Sequence, residues 1–159
     1  MITDILSLVI LTCILIMLLL CLGKMVKREE TLVFQSAKKP AIPYVIVRSG
    51  DITLNMIADS GCGVSIIDRM MLDIIPHERT NESISLTALT PDSMESDIVV
   101  VPITINKKQI SQKFAAYESD DIANFRALYG ISIQGILGSD FMEATGCKVD
   151  YSKHALIIP

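Results

Sequence analysis

The chain has 159 residues, which is enough for one ordinary domain and an appendage. Half of the residues are apolar, and the formal net charge is −4. From Pro40 onward the chain carries nine basic and fifteen acidic side chains, whereas a nucleic-acid-binding domain needs a clustered basic face. The composition therefore argues against nucleic acid as a partner.

The first predicted element is a membrane span. Residues 5–22 form an apolar run of 18 residues without a charge, close to the roughly 20 residues that cross a bilayer as a helix. A cleaved signal peptide would need a basic start, but this start holds Asp4 and neither Lys nor Arg. A buried core helix is usually shorter and amphipathic. We therefore predict that residues 1–23 comprise a short head and a transmembrane helix.

Basic residues follow the span and indicate its orientation. Lys24, Lys27 and Arg28 lie directly after it, and no Lys or Arg precedes it. Because an excess of basic residues marks the cytoplasmic side, we expect a single-pass membrane protein whose C-terminal domain faces the cytoplasm. Residues 24–39 read as a basic juxtamembrane linker, either a solvated tether or a stretch held near anionic lipid headgroups.

Residues 40–159 are predicted to form one all-β domain. Short apolar runs alternate there with turn residues, which is the pattern of a β-sandwich or a closed barrel. Strands are predicted at residues 43–47, 53–58, 83–89, 98–105, 110–117 and 131–137, with a final hairpin at 147–151 and 155–158. The intervening segments are predicted as a strand followed by a helical turn at 64–75, a polar loop at 76–82 and a weak helix at 122–128.

The cysteines and histidines of this domain predict neither a metal nor a cofactor. Cys62 and Cys147 lack the C-x-x-C spacing of a zinc site, and His77 and His154 are isolated in the sequence. A disulfide between the two cysteines stays open, although a cytoplasmic location disfavours it.

The most informative stretch is residues 59–67, which begins Asp59-Ser60-Gly61. A carboxylate lies where the second strand of the first hairpin ends, and a hydroxyl and a glycine follow at once. The strands hold the carboxylate rigidly, the hydroxyl can bind a neighbour, and the glycine lets another backbone approach. Because acid–base chemistry needs this arrangement, Asp59 is the candidate catalytic residue.

A second motif lies at residues 135–141, Gly-Ile-Leu-Gly-Ser-Asp-Phe. A buried strand there runs into a glycine, and a short helix begins with Ser139 or Asp140 as its cap. If Asp140 is the cap, Glu143 stands at the capping-box position three residues on. Gly146 is expected to end that helix.

The Asp59-Ser60-Gly61 stretch, with Ser65-Ile66-Ile67 after it, resembles the Asp-Thr/Ser-Gly signature of aspartic proteases. Residues 135–141 resemble the hydrophobic-hydrophobic-glycine segment and C-terminal helix of the retropepsin-like, retroviral-type branch. The order of elements fits that branch over about residues 40–159. The resemblance implies an all-β fold, a single-lobe closed barrel with one short helix in the C-terminal region, here preceded by a transmembrane helix. Cys62 stands where the family usually has alanine, and 118–130 is longer than in minimal viral members.

The resemblance also implies a mechanism, in which two aspartates face each other around one water. Because this chain offers one signature, it would act as a symmetric homodimer with Asp59 of each chain at the two-fold axis. The two carboxylates would share one proton, one acting as base on the water and the other protonating the scissile carbonyl, without a cofactor. The expected partners are a peptide or protein substrate, a second copy of the chain, and membrane lipid around the N-terminal helix.

Further roles follow from position in the family's motif. Ser60 is expected to hydrogen-bond across the dimer and Gly61 to let the peptide backbone approach. Ser65 is expected to support the carboxylate, although a hydroxyl that caps a turn explains it equally well. The hairpin at about 83–99 would be a flap that closes over substrate, although an ordinary hairpin would have the same sequence. The tip of this flap would be formed by Thr90, Pro91, Asp92 and Ser93.

Three alternatives to a dimeric protease stay open. Asp140 could supply a second carboxylate within one chain, although a helix cap explains it without chemistry. The barrel could lack catalysis and serve as a membrane-tethered binding or assembly module. It could also be an unrelated small barrel in which Asp59 lies in a turn. The intact Asp-Ser-Gly stretch favours a membrane-anchored aspartic endopeptidase.

Overall fold

A computed structural model describes residues 11–18, 30–33, 43–87, 93–118 and 120–159. The chain divides into two compact units, Met1–Glu29 with Pro159, and Glu30–Ile158. In the first unit, residues 11–18 form helix α1. Within the described ranges, no helix combines the length and the apolar character needed to cross a membrane. The rest of the span predicted at 5–22 lies outside these ranges.

The second unit is mostly β-structure. Its strands are β1 (Glu30–Val33), β2 (Tyr44–Ser49), β3 (Ile52–Ala58), β4 (Ile66–Asp68), β5 (Glu78–Thr87), β6 (Ser93–Ile105), β7 (Lys108–Tyr117), β8 (Gly135–Leu137), β9 (Lys148–Asp150) and β10 (Ala155–Ile158). Its helices are a 3₁₀ helix (Arg69–Asp73), α2 (Asp120–Tyr129) and α3 (Ser139–Thr145).

Six of these strands close into a barrel. In the order around the ring, β2 pairs with β3, β3 with β8, β8 with β4, β4 with β7, and β7 with β6. The ring closes where Arg48 of β2 pairs with Thr104 of β6, beside a hydrogen bond of 2.9 Å from Ser49 Oγ to Pro102 O. β5 pairs with β6 outside the ring, so it is an edge strand in the part of the sheet that the structure describes.

Alternate residues of the strands fill the barrel. β2 and β3 bury every second residue because successive side chains of a strand point to opposite faces. Val45, Leu54, Ile67 and Phe114 are completely buried. Burial of each such side chain stabilises the fold by roughly 1.5–3 kcal/mol. The apolar core therefore fixes β3, the strand that leads into Asp59.

A second sheet of three strands has the order β1, β10, β9. Leu32 of β1 pairs with Leu156 of β10, and all four residues of β10 are buried. Residues 30–33 belong to the stretch predicted as a linker, but the structure places them in this strand. Threonine, leucine and valine there favour strand geometry once β10 offers a free edge.

Most of the predicted β-structure is confirmed. The first hairpin, the final hairpin, the strand at 110–117 and the strand with a helical turn at 64–75 are all present, with ends shifted by a few residues. The weak helix at 122–128 is confirmed as part of α2. The closed all-β barrel expected from the resemblance is likewise present.

Two predictions about local structure are wrong. Residues 78–82 were expected in a loop but begin β5, because polar side chains are accommodated on an edge strand that is mostly exposed. Residues 131–134 are not a strand; there Asn55 binds Ser132 O through Nδ2 and Gln134 Oε1 through its backbone amide, both at 2.8 Å. Beside the one short C-terminal helix implied by the resemblance, the unit has α2 and the 3₁₀ helix, which the sequence itself predicts as a weak helix and a helical turn.

Candidate active site

Two parallel strands position Asp59. Ala58, the last residue of β3, pairs with Leu137, the last residue of β8. The chain then continues into Asp59, whose backbone amide donates to Leu137 O at 3.0 Å. The side chain of Asp59 is exposed. The barrel therefore holds the backbone of Asp59 in place and leaves its carboxylate accessible.

The residues after Asp59 form a tight turn, which we call the catalytic-loop candidate, residues 59–65. Asp59 Oδ1 accepts a hydrogen bond of 2.9 Å from the backbone amide of Gly61, and Asp59 O accepts one of 3.2 Å from Cys62. A Cβ at Gly61 would lie 3.2 Å from Asp59 Oδ1, closer than an ordinary contact. Glycine at this position therefore lets the backbone approach the carboxylate and orient it.

Cys62 lies half-buried in the same loop. Burial raises the pKa of its thiol from the ordinary value of 9.0, the backbone of Val64 lowers it, and the charges of Asp59 and Asp140 raise it again. The thiol donates to Val64 O at 3.0 Å. Cys62 and Cys147 are both free thiols, so the disulfide left open by the sequence is not formed. A neutral thiol therefore lies near the Asp59 carboxylate.

Ser65 ends the loop and is completely buried. Its hydroxyl donates to Asp140 Oδ1 at 2.7 Å and accepts from the backbone amide of Gly138 at 3.0 Å. Gln112 of β7 donates through Nε2 to Ser65 Oγ at 3.3 Å and to Asp140 Oδ2 at 2.9 Å. The hydrogen bonds of Ser65 thus go to Asp140 and its neighbours, not to Asp59. Ser65 supports the loop, but through a different carboxylate from the one expected.

Asp140 does not cap helix α3. The N-cap position is Gly138, which makes no side-chain cap bond, and Asp140 lies in the first turn. The prediction of Ser139 or Asp140 as the cap is wrong because the Asp140 carboxylate instead accepts from Ser65 and Gln112. With both oxygens bound in this way, Asp140 has the contacts of a structural residue. Gly146 ends the helix in the left-handed conformation, with φ of 70°, as the sequence predicts.

Close packing of α3 against the loop requires glycine at position 138. A Cβ there would lie 2.7 Å from Cys62 O and 2.8 Å from Val64 C. The next residue, Ser139, donates its backbone amide to Cys62 O at 2.8 Å. The two sequence motifs, far apart in the chain, therefore meet backbone to backbone.

The remaining candidate residues fall in different places. Ser60 and Gly61 are exposed beside Asp59. Of the predicted flap tip, Ser93 is the first residue of β6, whereas Thr90, Pro91 and Asp92 lie outside the described residues. Their roles stay predictions.

A cavity of about 230 Å³ lies away from the catalytic-loop candidate. It is lined by residues of β5, β6, β7 and the 3₁₀ helix, namely Arg69, Leu72, Arg79, Thr80, Asp97, Ile98, Val99 and Ala116. None of the loop residues lines it. In the same described part of the chain, no three His, Cys, Asp or Glu side chains are grouped to hold a metal ion.

Sequence reasoning missed Gln112. Its signal in the sequence is a polar residue at an inward position of a strand, between Ile110 and Phe114, where alternation predicts an apolar side chain. Gln112 is 6% exposed, and buried polar side chains need partners. Those partners come from the loop and from α3, which lie far from Gln112 in sequence.

Comparison with known proteins identifies the fold. No family model and no curated protein matches this chain. Among solved structures, the retroviral protease-like domain of Ddi1 from Leishmania major is 15% identical with a TM-score of 0.51, over 74% of this chain and 86% of that one. EIAV protease in complex with the inhibitor HBY-793 is 17% identical with a TM-score of 0.54, over 73% and 99%. A retropepsin-like aspartic protease from Rickettsia conorii is 16% identical with a TM-score of 0.50, over 82% and 89%. At these identities the likeness concerns the fold, which is the closed barrel of the retropepsin-like aspartic proteases.

Proposed function

We propose that this chain is an aspartic endopeptidase that acts as a homodimer. One observation carries the proposal. Asp59 is exposed at the end of a barrel strand, in a loop fixed at both ends, within a fold shared with aspartic proteases. A single exposed carboxylate cannot act as base and acid at once, so the second carboxylate is Asp59 of a second chain.

The chemistry needs one water between the two carboxylates. The ionised carboxylate takes a proton from the water as its oxygen bonds to the carbonyl carbon of the scissile peptide. The protonated carboxyl gives its proton to the carbonyl oxygen. Collapse of the tetrahedral intermediate breaks the C–N bond, and the leaving nitrogen takes up a proton from the dyad. No covalent enzyme intermediate forms, and no cofactor takes part.

The neighbouring elements have supporting roles in this proposal. Ser60 is exposed beside Asp59 and hydrogen-bonds to the loop of the second chain. Gly61 leaves space for the backbone of the peptide. The hairpin of β5 and β6 closes over the substrate as a flap and excludes water.

We further propose that residues 1–23 anchor the protein in a membrane as a single-pass helix, with the C-terminal domain in the cytoplasm. The apolar run at 5–22 and the basic residues after it support this assignment. Anchoring would raise the effective concentration of the chains and so favour dimers. Alkaline carbonate extraction of membranes tests the anchor: the full chain is expected to stay in the pellet, and its release into the supernatant would refute it.

Cleavage of a peptide library by the full chain tests the enzymatic proposal. Asp59→Asn removes the ionisable group, and we expect a loss of about 10²–10⁴-fold in cleavage rate. Asp73→Asn is the matched control, because Asp73 is exposed at the end of the 3₁₀ helix. Wild type and Asp73→Asn should cleave alike. If no peptide is cut by any variant between pH 4 and 7, a binding or assembly module is the better account.

A further inference from the structure

We propose that Gln112 is a positioning residue for the catalytic-loop candidate, which it holds through Ser65 and the carboxylate of Asp140. Its kinetic consequence rests on the proposed protease function, whereas its structural consequence does not. Gln112 lies on β7 and belongs to neither motif, so it would act on Asp59 indirectly.

One closed network of hydrogen bonds joins Ser65, Gln112, Gly138 and Asp140. Ser65 is 0% exposed and Gln112 is 6% exposed. Gln112 Nε2 lies 2.9 Å from Asp140 Oδ2, and Ser65 Oγ lies 2.7 Å from Asp140 Oδ1. Both carboxylate oxygens are therefore bound by side chains that have little access to water.

Every donor of the network has an acceptor within hydrogen-bond distance. Gln112 Nε2 carries two hydrogens and faces three acceptors, Asp140 Oδ2, Ser65 Oγ and, at 3.0 Å, Lys113 O. Ser65 uses its one hydrogen toward Asp140 and accepts from Gly138. Both oxygens of Asp140 act as acceptors in this arrangement. A second acid at position 112 would place two acceptors opposite each other.

The network contacts both ends of the loop that carries Asp59. Gly138, which donates to Ser65, directly follows Leu137, whose carbonyl accepts the Asp59 amide. Ser65 O accepts the amide of Ala115, so β7 binds the same residue through its backbone. A shift of Ser65 or α3 is thus transmitted to Asp59 through bonded neighbours. Misplacement by about 1 Å in a reacting group is enough to cost about 100-fold in rate.

Of the side chains on β7, it is Gln112 that binds Asp140, and the charged groups nearby do not replace it. Cys62 faces Asp140 from the loop, since the Asp140 charge acts on its thiol. On β7, the ammonium of Lys113 lies 2.6 Å from Glu82 and is directed away from this network. Glu143, one turn further along α3, is exposed.

Gln112→Glu in the full chain tests the proposal, with Gln109→Glu as the matched control. Gln109 lies on the same strand and is exposed. In Gln112→Glu the new carboxyl lies beside Asp140, and the like charge raises the pKa of one member of the pair above the usual value of about 4.3. While the new carboxyl is protonated it keeps a donor toward Asp140. The contribution of this carboxyl to the free energy of unfolding is therefore fully present below its usual pKa. It is lost as the pH rises through the raised pKa.

We therefore expect the Tm of Gln112→Glu, relative to Gln109→Glu, to fall between pH 4 and 7. The kcat for peptide cleavage should fall by about 10- to 100-fold over the same window, with KM unchanged. Gln112→Met, which removes the donors without adding charge, should lower kcat at every pH. It also serves as the second variant if Gln112→Glu does not fold.

Two results would overturn the proposal. One is the same pH dependence of Tm for Gln112→Glu and Gln109→Glu. The other is a pH-dependent Tm for Gln112→Glu with no change in kcat for it or for Gln112→Met, which would leave Gln112 a purely structural role. If wild type cleaves nothing, the proposed function fails, and the comparison of Tm values still decides whether the network exists.

Discussion

Gly138→Ala perturbs the contact between the two sequence motifs most directly. The added Cβ would lie 2.7 Å from Cys62 O, 2.8 Å from Val64 C and 2.9 Å from Asp140 Oδ1, whereas ordinary contacts begin at 3.4 Å. Two of these three atoms belong to backbone and cannot rotate away. The loop and α3 must therefore separate by several tenths of an ångström.

The expected cost has two parts. Overpacking of this kind destabilises a protein by about 1–3 kcal/mol. Separation also weakens the hydrogen bond of 2.8 Å from Ser139 to Cys62 O, which contributes about 0.5–1.5 kcal/mol. We expect the free energy of unfolding to fall by about 1.5–4.5 kcal/mol, and the Tm of a chain of this size by about 3–18 °C.

Thermal unfolding of the full chain, followed by circular dichroism, measures this effect. Gly63→Ala is the matched control, because a Cβ at Gly63 in the same loop meets no atom within 4 Å. Gly61→Ala is expected to lie between the two, since its Cβ would be 3.2 Å from Asp59 Oδ1. The steric argument is refuted if Gly138→Ala and Gly63→Ala unfold at the same temperature.

Two further predictions concern the thiol and the core. Because the charge of Asp59 contributes to the raised pKa of Cys62, Asp59→Asn should increase the rate of alkylation of Cys62 by iodoacetamide at pH 8, measured by peptide mass spectrometry; an unchanged rate would contradict this. Phe141→Ala should lower the free energy of unfolding by about 3–5 kcal/mol, because Phe141 is 0% exposed. Leu128→Ala, at a residue 68% exposed, is its control and should change stability by less than about 0.5 kcal/mol, and equal losses would refute the packing argument.

Local signals made much of the barrel predictable. The turn at Ser49-Gly50-Asp51 fixes the first hairpin, and Gly50 adopts the positive φ of 57° that such a turn favours. The apolar run before Asp59 predicts a buried strand that ends at the carboxylate. β5 was not predictable in full, because an edge strand shows no apolar alternation that would separate it from a loop.

Contacts between distant residues were only partly predictable. Both motifs could be recognised in the sequence, but they did not reveal that Gly138 packs against the loop after Asp59, nor which side chains bind Ser65. Its partners Gln112 and Asp140 lie 47 and 75 residues away in the chain, and no local pattern encodes their distances. A buried polar side chain can be found in a sequence as a break in alternation, but its partner is set by the fold.

A mixing experiment tests most directly the central claim that catalysis needs one Asp59 from each of two chains. Wild type and Asp59→Asn are co-expressed in equal amounts, and peptide cleavage is compared with the same total amount of wild type. Random pairing leaves about one quarter of the dimers with two aspartates, so we predict about one quarter of the wild-type activity. Mixing with Asp73→Asn should leave the activity unchanged. A value near one half would contradict the claim, because it would mean that each chain works alone.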